Sequence, residues 1–171
     1  MELILLGYMA CGKSTIGRYL SEKMDLTFID LDAYIEENEG MTISQLFSSK
    51  GEIYFRKQEA FYLNKILNST SNYILALGGG TPCYGTNMKS IVESKAHNIY
   101  LKASIPTLVK RLEEGKQNRP LIADLDDDQL IEYIGKHLFE RAPFYEQSKL
   151  KLKIDSKSIE EVSSEIIELL H

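Results

Sequence analysis

Apolar positions along this chain follow two rhythms that alternate from end to end. Short strand-like runs lie at residues 3–6, 27–30, 72–77, 98–101 and 150–154, each too brief for a helix. Between them, apolar residues return every three or four positions, the spacing of one helix face. Ile16, Tyr19, Leu20 and Met24 mark a first helix; Tyr34 and Ile35 mark a second, which Gly40 stops. Thr42-Ile43-Ser44-Gln45 is a capping-box pattern, in which the Thr and Gln side chains satisfy backbone N–H groups left open at a helix start. It opens a short helix that Gly51 ends. A longer helix is predicted from about residue 53 to 67, with Phe55, Ala60, Leu63 and Leu67 among its apolar positions. Ser104 caps a helix carrying Leu108, Val109 and Leu112, and Ser158-Ile159-Glu160-Glu161 caps the last one. Strands separated by helices predict an α/β fold with a mostly parallel sheet covered on both faces. The alternation breaks at 115–128, a polar segment that contains Arg119-Pro120 and ends in Asp126-Asp127-Asp128. Such a stretch reads either as a surface loop or as a mobile loop over a site.

Composition narrows the class. A chain of 171 residues without repeats, low-complexity tracts or linkers is read as one domain, 1–171. Hydrophobic content of 43% and charged content of 26% suit a globular protein. No apolar run is long enough to span a membrane, and acidic Glu2 with Gly12-Lys13 does not fit a secretory leader. The expectation is a cytoplasmic protein. Cys11 and Cys83 have neither zinc spacing nor a disulfide framework and are read as free thiols. With no apolar stripe evident, a monomer is expected. A net charge of −5 argues against a nucleic-acid partner. It also means that any anionic ligand must be met by positive charge concentrated in one cleft.

Gly7-Tyr8-Met9-Ala10-Cys11-Gly12-Lys13-Ser14-Thr15 fits the phosphate-binding pattern G-x-x-x-x-G-K-[ST], between a predicted strand and a predicted helix. Backbone N–H groups and the positive helix end would face a polyphosphate. Lys13 can reach its terminal phosphates, and the Ser14 hydroxyl can ligate the magnesium that travels with a nucleotide. Asp30-Leu31-Asp32 closes the second strand, where ligands of open parallel sheets bind. Alternation along a strand would let both carboxylates project to one side, one holding magnesium through water and the other accepting a hydroxyl proton. Equally, an Asp here can serve as a helix cap. Gly78-Gly79-Gly80 closes the third strand and offers bare backbone N–H groups to a close ligand.

Taken together these residues resemble the shikimate kinase family over nearly the whole chain. The phosphate loop, the Asp30/Asp32 pair, Gly51-Glu52-Ile53-Tyr54-Phe55-Arg56 as G-E-x-x-F-R, Gly78-Gly79-Gly80, Arg119-Pro120-Leu121 and Arg141-Ala142-Pro143-Phe144-Tyr145 occur in the family's order. The resemblance implies a three-layer αβα P-loop kinase fold with a five-stranded parallel sheet, a substrate-binding region at about 32–60 and a lid at about 115–128. It implies transfer of the ATP γ-phosphate to the 3-hydroxyl of shikimate, a step of chorismate and aromatic amino acid biosynthesis. By the same resemblance, Asp32 binds the hydroxyls and assists deprotonation, Arg56 and Arg141 hold the carboxylate, and Gly79 and Gly80 add backbone contacts. Phe47 and Phe55 line the substrate region. Arg119 and Lys13 touch the phosphates, Ala10 through Thr15 cradle the nucleotide, and Ser14 and Asp30 serve Mg2+. Arginine suits a carboxylate because its planar fork binds both oxygens.

The chain departs from the family at Ala10 and Cys11, where Gly and Ser are usual. Adenine contacts are less defined, with Arg111 and the Ser156-Lys157 turn as candidates. Another kinase of the same fold, acting on gluconate or a nucleotide, is the nearest alternative; a GTPase switch would need an N-K-x-D motif, which the sequence lacks. Cys11, beside Lys13 and a helix start, is expected to react with alkylating agents faster than Cys83.

Overall fold

The computed structural model describes residues 1–114 and 122–170. Five strands, β1 (Glu2–Leu6), β2 (Thr27–Asp30), β3 (Tyr73–Ala76), β4 (His97–Lys102) and β5 (Leu150–Lys153), form one sheet in the order β2-β3-β1-β4-β5. All four pairings are parallel. The central strand β1 is the most apolar, and Leu3, Ile4, Leu5 and Leu6 are completely buried between two helical layers.

Strand order fixes which helix covers which face, because parallel crossovers are right-handed. From β1 to β2 the chain moves one way across the sheet, carrying α1 (Lys13–Met24). Every later crossover moves the other way. Hence α2 (Leu31–Glu39), α3 (Ile43–Ser69), α4 (Asn87–Glu93), α5 (Ile105–Glu113) and α6 (Asp127–Tyr145) belong to the opposite face, and α7 (Ile159–Leu169) returns to the first. The packing agrees: α1 touches α7, α2 touches α3, α3 touches α4, and α5 touches α6.

The predicted caps are present. Thr42 and Ser158 each form a capping box, and the Ser104 hydroxyl accepts from the Thr107 N–H. Gly40 ends α2 at φ 66°. Gly51, at φ 82° and ψ 167°, breaks α3 into the two expected helical segments. Two helices went unassigned in the sequence, α4 and α6. The acidic run at 126–128 is the start of α6: Asp126 is its N-cap, in a capping box with Gln129, and Asp127 and Asp128 occupy its positive first turn. The lid residues Arg119, Pro120 and Leu121 lie outside the described residues.

Gly7 takes β1 into the phosphate loop at φ 144°, and a methyl group there would stand 2.7 Å from the Leu101 carbonyl oxygen of β4. Both the backbone angle and a rigid neighbour oppose a side chain. Gly7→Ala should therefore lower the unfolding free energy by about 2–4 kcal/mol, a strain cost plus an overpacking cost. Urea titration followed by circular dichroism measures it; an unchanged midpoint would show that the junction relaxes freely.

Candidate active site

Three loops leave the carboxyl ends of β1, β2 and β3 side by side, so the residues that follow these strands share one crevice. The first is the phosphate loop. Gly12 is the N-cap of α1 at φ 97° and supplies no side chain to cap it, so the first-turn N–H groups stay available to an anion. Lys13, only 9% exposed, turns its ammonium back onto the loop and donates to the carbonyls of Gly7 and Tyr8 at 2.9 Å each. Ala10 holds φ 63°, an angle that alanine adopts at a cost. Its carbonyl accepts from Arg111 Nη1 at 3.3 Å. Arg111 and Lys157 line a cleft of about 420 Å³ with Ala10, Gly12 and Thr15. That cleft adjoins the phosphate loop. Ser156 is not among its lining residues and instead turns the chain at φ 59°.

Cys11 differs from the reactive thiol expected. It is completely buried, with Sγ 3.7 Å from Lys13 Nζ and close behind Gly7. Its sulfur fills the underside of the loop, out of reach of solvent reagents. Cys83 is partly exposed, but burial pushes its thiol up to about 11. Neither cysteine combines access with a stabilised thiolate.

The second loop corrects the expected placement of the two carboxylates. Strand β2 stops at Asp30 and Leu31 begins α2, so the carboxylates do not alternate along one strand. Asp30 is the N-cap: Oδ1 accepts from the N–H groups of Asp32 and Ala33 at 3.1 and 3.3 Å. Its other oxygen accepts from the Ser14 hydroxyl at 2.8 Å. One residue therefore caps α2 and holds the Ser14 hydroxyl. Asp32, in the first turn of α2, points to the third loop. Burial, then the nearby charges of Asp30 and Glu59, push its carboxyl up to about 6, against a smaller opposing pull from Lys13.

The third loop is Gly78-Gly79-Gly80. A methyl on Gly78 would lie 2.9 Å from Asp32 Oδ1, one on Gly79 would lie 3.3 Å from Arg141 Nη1, and one on Gly80 would lie 3.3 Å from both Arg56 Nη atoms. Bare backbone is what lets these three charged groups approach. Arg56 comes from α3, past the Gly51 break. Its Nη1 donates to Glu59 Oε2 at 2.9 Å, and its guanidinium lies 3.6 Å from the Tyr84 ring centre. Phe47 and Phe55 stack nearby at 4.7 Å. Arg141 comes from α6 and, among the described residues, makes no ion pair with a carboxylate. Its charge is open to an incoming anion.

Sequence reasoning did not assign Glu59, Tyr84 or the Tyr145 hydroxyl. Glu59 is 1% exposed and also accepts from the Thr81 hydroxyl at 2.7 Å, tying Arg56 to the triplet. Its position three residues after Arg56 on a helix was the available signal. Tyr145 is fully buried and donates to the Gly79 carbonyl. A hydroxyl and one carboxylate at a helix start are hard oxygen donors that suit Mg2+, which keeps water and phosphate oxygens as its other ligands. Among the described residues no group of three or more His, Cys, Asp or Glu forms a closed metal cage.

A glycine–lysine loop between β1 and α1 of this sheet, facing an acceptor crevice with a carboxylate and two arginines, defines a P-loop kinase of small molecules. The family model for shikimate kinase matches residues 9–171. The chain belongs to the shikimate kinase family. A shikimate kinase of Flavobacterium johnsoniae is 43% identical over 169 residues, covering 99% of this chain and 98% of that protein. The crystal structure of the shikimate kinase of Bacteroides thetaiotaomicron superposes with a TM-score of 0.91 at 34% identity, covering 99% of this chain and 98% of that one. The shikimate kinase of Acinetobacter baumannii in complex with shikimate superposes with a TM-score of 0.86 at 28% identity, over 99% and 92% of the two chains.

The Asp32 environment has a measurable cost. A carboxyl held above its unfolded value favours the folded protein only while protonated, so this group removes stability as pH rises from about 4 to about 6 and keeps it removed above that. Asp32→Asn cannot ionise. It should be more stable than the unchanged protein at pH 7 by about 1–3 kcal/mol, at roughly 1.4 kcal/mol per pKa unit, with the gap closing below about pH 4. Thermal unfolding at both pH values checks it; a less stable variant at pH 7 would contradict the raised carboxyl.

Proposed function

We propose that this chain transfers the γ-phosphoryl group of ATP to the 3-hydroxyl of shikimate, giving shikimate 3-phosphate and ADP for chorismate and aromatic amino acid biosynthesis. The observation that carries the reading is the convergence of Asp32, Arg56 and Arg141 on Gly78-Gly79-Gly80, at the end of the strand adjoining the phosphate loop's strand. A small polyol acid needs one acceptor for a hydroxyl proton and cationic forks for its carboxylate. Arg56 and Arg141 hold the carboxylate, and the N–H groups of Gly79 and Gly80 orient the ring. Asp32 accepts the proton as the hydroxyl oxygen attacks the γ-phosphorus and the bond to the β-phosphate oxygen breaks. A carboxyl near 6 is mostly ionised at neutral pH and still basic enough to take a proton. The loop amides, Lys13 and Arg119 hold the phosphates, and Arg111 with Lys157 flanks the nucleoside end. Ser14 would ligate Mg2+ and Asp30 would orient its ligand shell, where the ion would supply neutralisation of phosphate charge.

The chain would act as a monomer in the cytoplasm. Among the described residues the two most exposed large apolar side chains, Phe139 and Ile53, belong to different helices, and no helix is long and apolar enough to cross a membrane.

A coupled ADP-release assay with MgATP and shikimate tests the activity; gluconate and nucleoside monophosphates are the controls, and phosphorylation of one of them in preference would overturn the assignment. Asp32→Asn should lose at least about a hundredfold in kcat, as expected when a positioned base is removed, while still binding ATP. In the unaltered enzyme kcat/KM for shikimate should fall on the acid side of a pKa near 6. Arg56→Ala and Arg141→Ala should mainly raise the shikimate KM, whereas Arg119→Ala should mainly lower kcat. Equal changes in both parameters from all three arginine variants would refute the division.

A further inference from the structure

Helix α6 does more than carry Arg141. Tyr133, His137, Arg141 and Tyr145 follow one another at four-residue spacing and so form a single ridge. The C-terminal half of the ridge meets the acceptor loop through Arg141 beside Gly79 and Tyr145 on the Gly79 carbonyl. Its N-terminal half meets the phosphate loop. There the Tyr8 hydroxyl and His137 Nδ1 are 3.1 Å apart, and the two rings sit edge to face at 5.7 Å. Tyr133 closes the other side of the imidazole at 5.2 Å. The Arg141 guanidinium lies 5.8 Å from the Tyr8 ring centre.

The bond joins two neutral groups, and the tautomer of the imidazole sets which of them donates. Burial raises the Tyr8 hydroxyl well above the ordinary phenol range, so it stays protonated. Burial, with Arg141 close by, lowers His137 and favours the neutral imidazole. A neutral ring that accepts at Nδ1 carries its proton on Nε2. The same Tyr8 residue that bonds to α6 receives Lys13 on its carbonyl. One residue of the phosphate loop thus touches both the nucleotide's lysine and the helix that bears the substrate's arginine.

We propose that Tyr8 and His137 are positioning residues for Arg141, setting the register of the α6 ridge against the phosphate loop so that the guanidinium meets the acceptor's carboxylate. The inference rests on the assignment of shikimate as acceptor. Neither side chain touches the reacting atoms. Tyr8→Phe keeps the ring and removes the hydroxyl; His137→Leu removes the ring nitrogen; His137→Asn places an amide, able to donate or accept, where Nδ1 stood.

Steady-state kinetics on these variants and on the Tyr8→Phe/His137→Leu double variant decide the matter. Loss of one neutral hydrogen bond should raise the shikimate KM about threefold to tenfold while the ATP KM moves less than about twofold. The double variant should be no worse than either single one, because the bond can be broken only once. His137→Asn should recover most of the loss. Three results would overturn the proposal: an unchanged shikimate KM, equal rises for both substrates, or additive effects in the double variant. A parallel melting curve separates a purely structural pair, which would lower the melting temperature and leave the shikimate KM alone. If the unaltered enzyme fails to phosphorylate shikimate, the activity assignment falls instead, a result visible before any variant is made.

Discussion

Three charged side chains crowd onto a stretch of backbone that has no side chains of its own, and the rest of the site depends on that approach. Asp32, Arg56 and Arg141 arrive from three different helices, and each comes within about a methyl group's reach of a glycine in the 78–80 triplet. Any β-carbon there would push one of them away. The sheet makes the meeting possible, since β3 lies directly beside β1 and its end opens next to the phosphate loop. A supporting network fixes the arrangement. Glu59, buried and accepting from both Arg56 and Thr81, offsets the arginine's charge and fixes its fork. Tyr145 holds the Gly79 peptide from the opposite side.

The electrostatics resolve a contradiction posed by composition. A protein with net charge −5 must bind an anionic nucleotide and an anionic acid. It does so by compensating one arginine internally and leaving another open among the described residues, while the loop lysine rests on carbonyl dipoles rather than on a carboxylate. Carbonyls hold an ammonium less firmly than a carboxylate would, so phosphate oxygens can displace them. The raised Asp32 carboxyl belongs to the same design. Burying it, and crowding it with Asp30 and Glu59, costs stability but brings its basicity to the range useful near neutral pH.

Much of this was legible in the chain. The strand-like runs, Thr42, Ser104 and Ser158 marked element boundaries because cap chemistry is local. The loop and the triplet marked the site because glycine spacing reports backbone geometry directly. Other features required the tertiary structure. Helix α6 was missed because its acidic start continues the polar character of 115–128, so its cap was read as the end of a loop. The side-by-side placement of Asp30 and Asp32 failed because a helix begins between them, changing the residue period from 2 to 3.6. The reactivity assigned to Cys11 failed because sequence position gives electrostatic surroundings but not depth; the sulfur points under the loop. Glu59 and Tyr84 were silent because their partners are brought together only by packing.

Ala10 carries a consequence for how the loop meets its ligand. The alanine stands at φ 63°, where glycine would rest without strain, and Arg111 from a distant helix holds its carbonyl. A glycine there would let the unliganded loop wander among many shapes, and a nucleotide would have to gather them into one. Alanine narrows that choice but disfavours this angle, so the surrounding fold and the Arg111 bond must hold the loop against a local cost. Strain is thereby moved from the binding step to the folding step. The shape of the cradle is thus kept by its neighbours rather than by its own backbone preference.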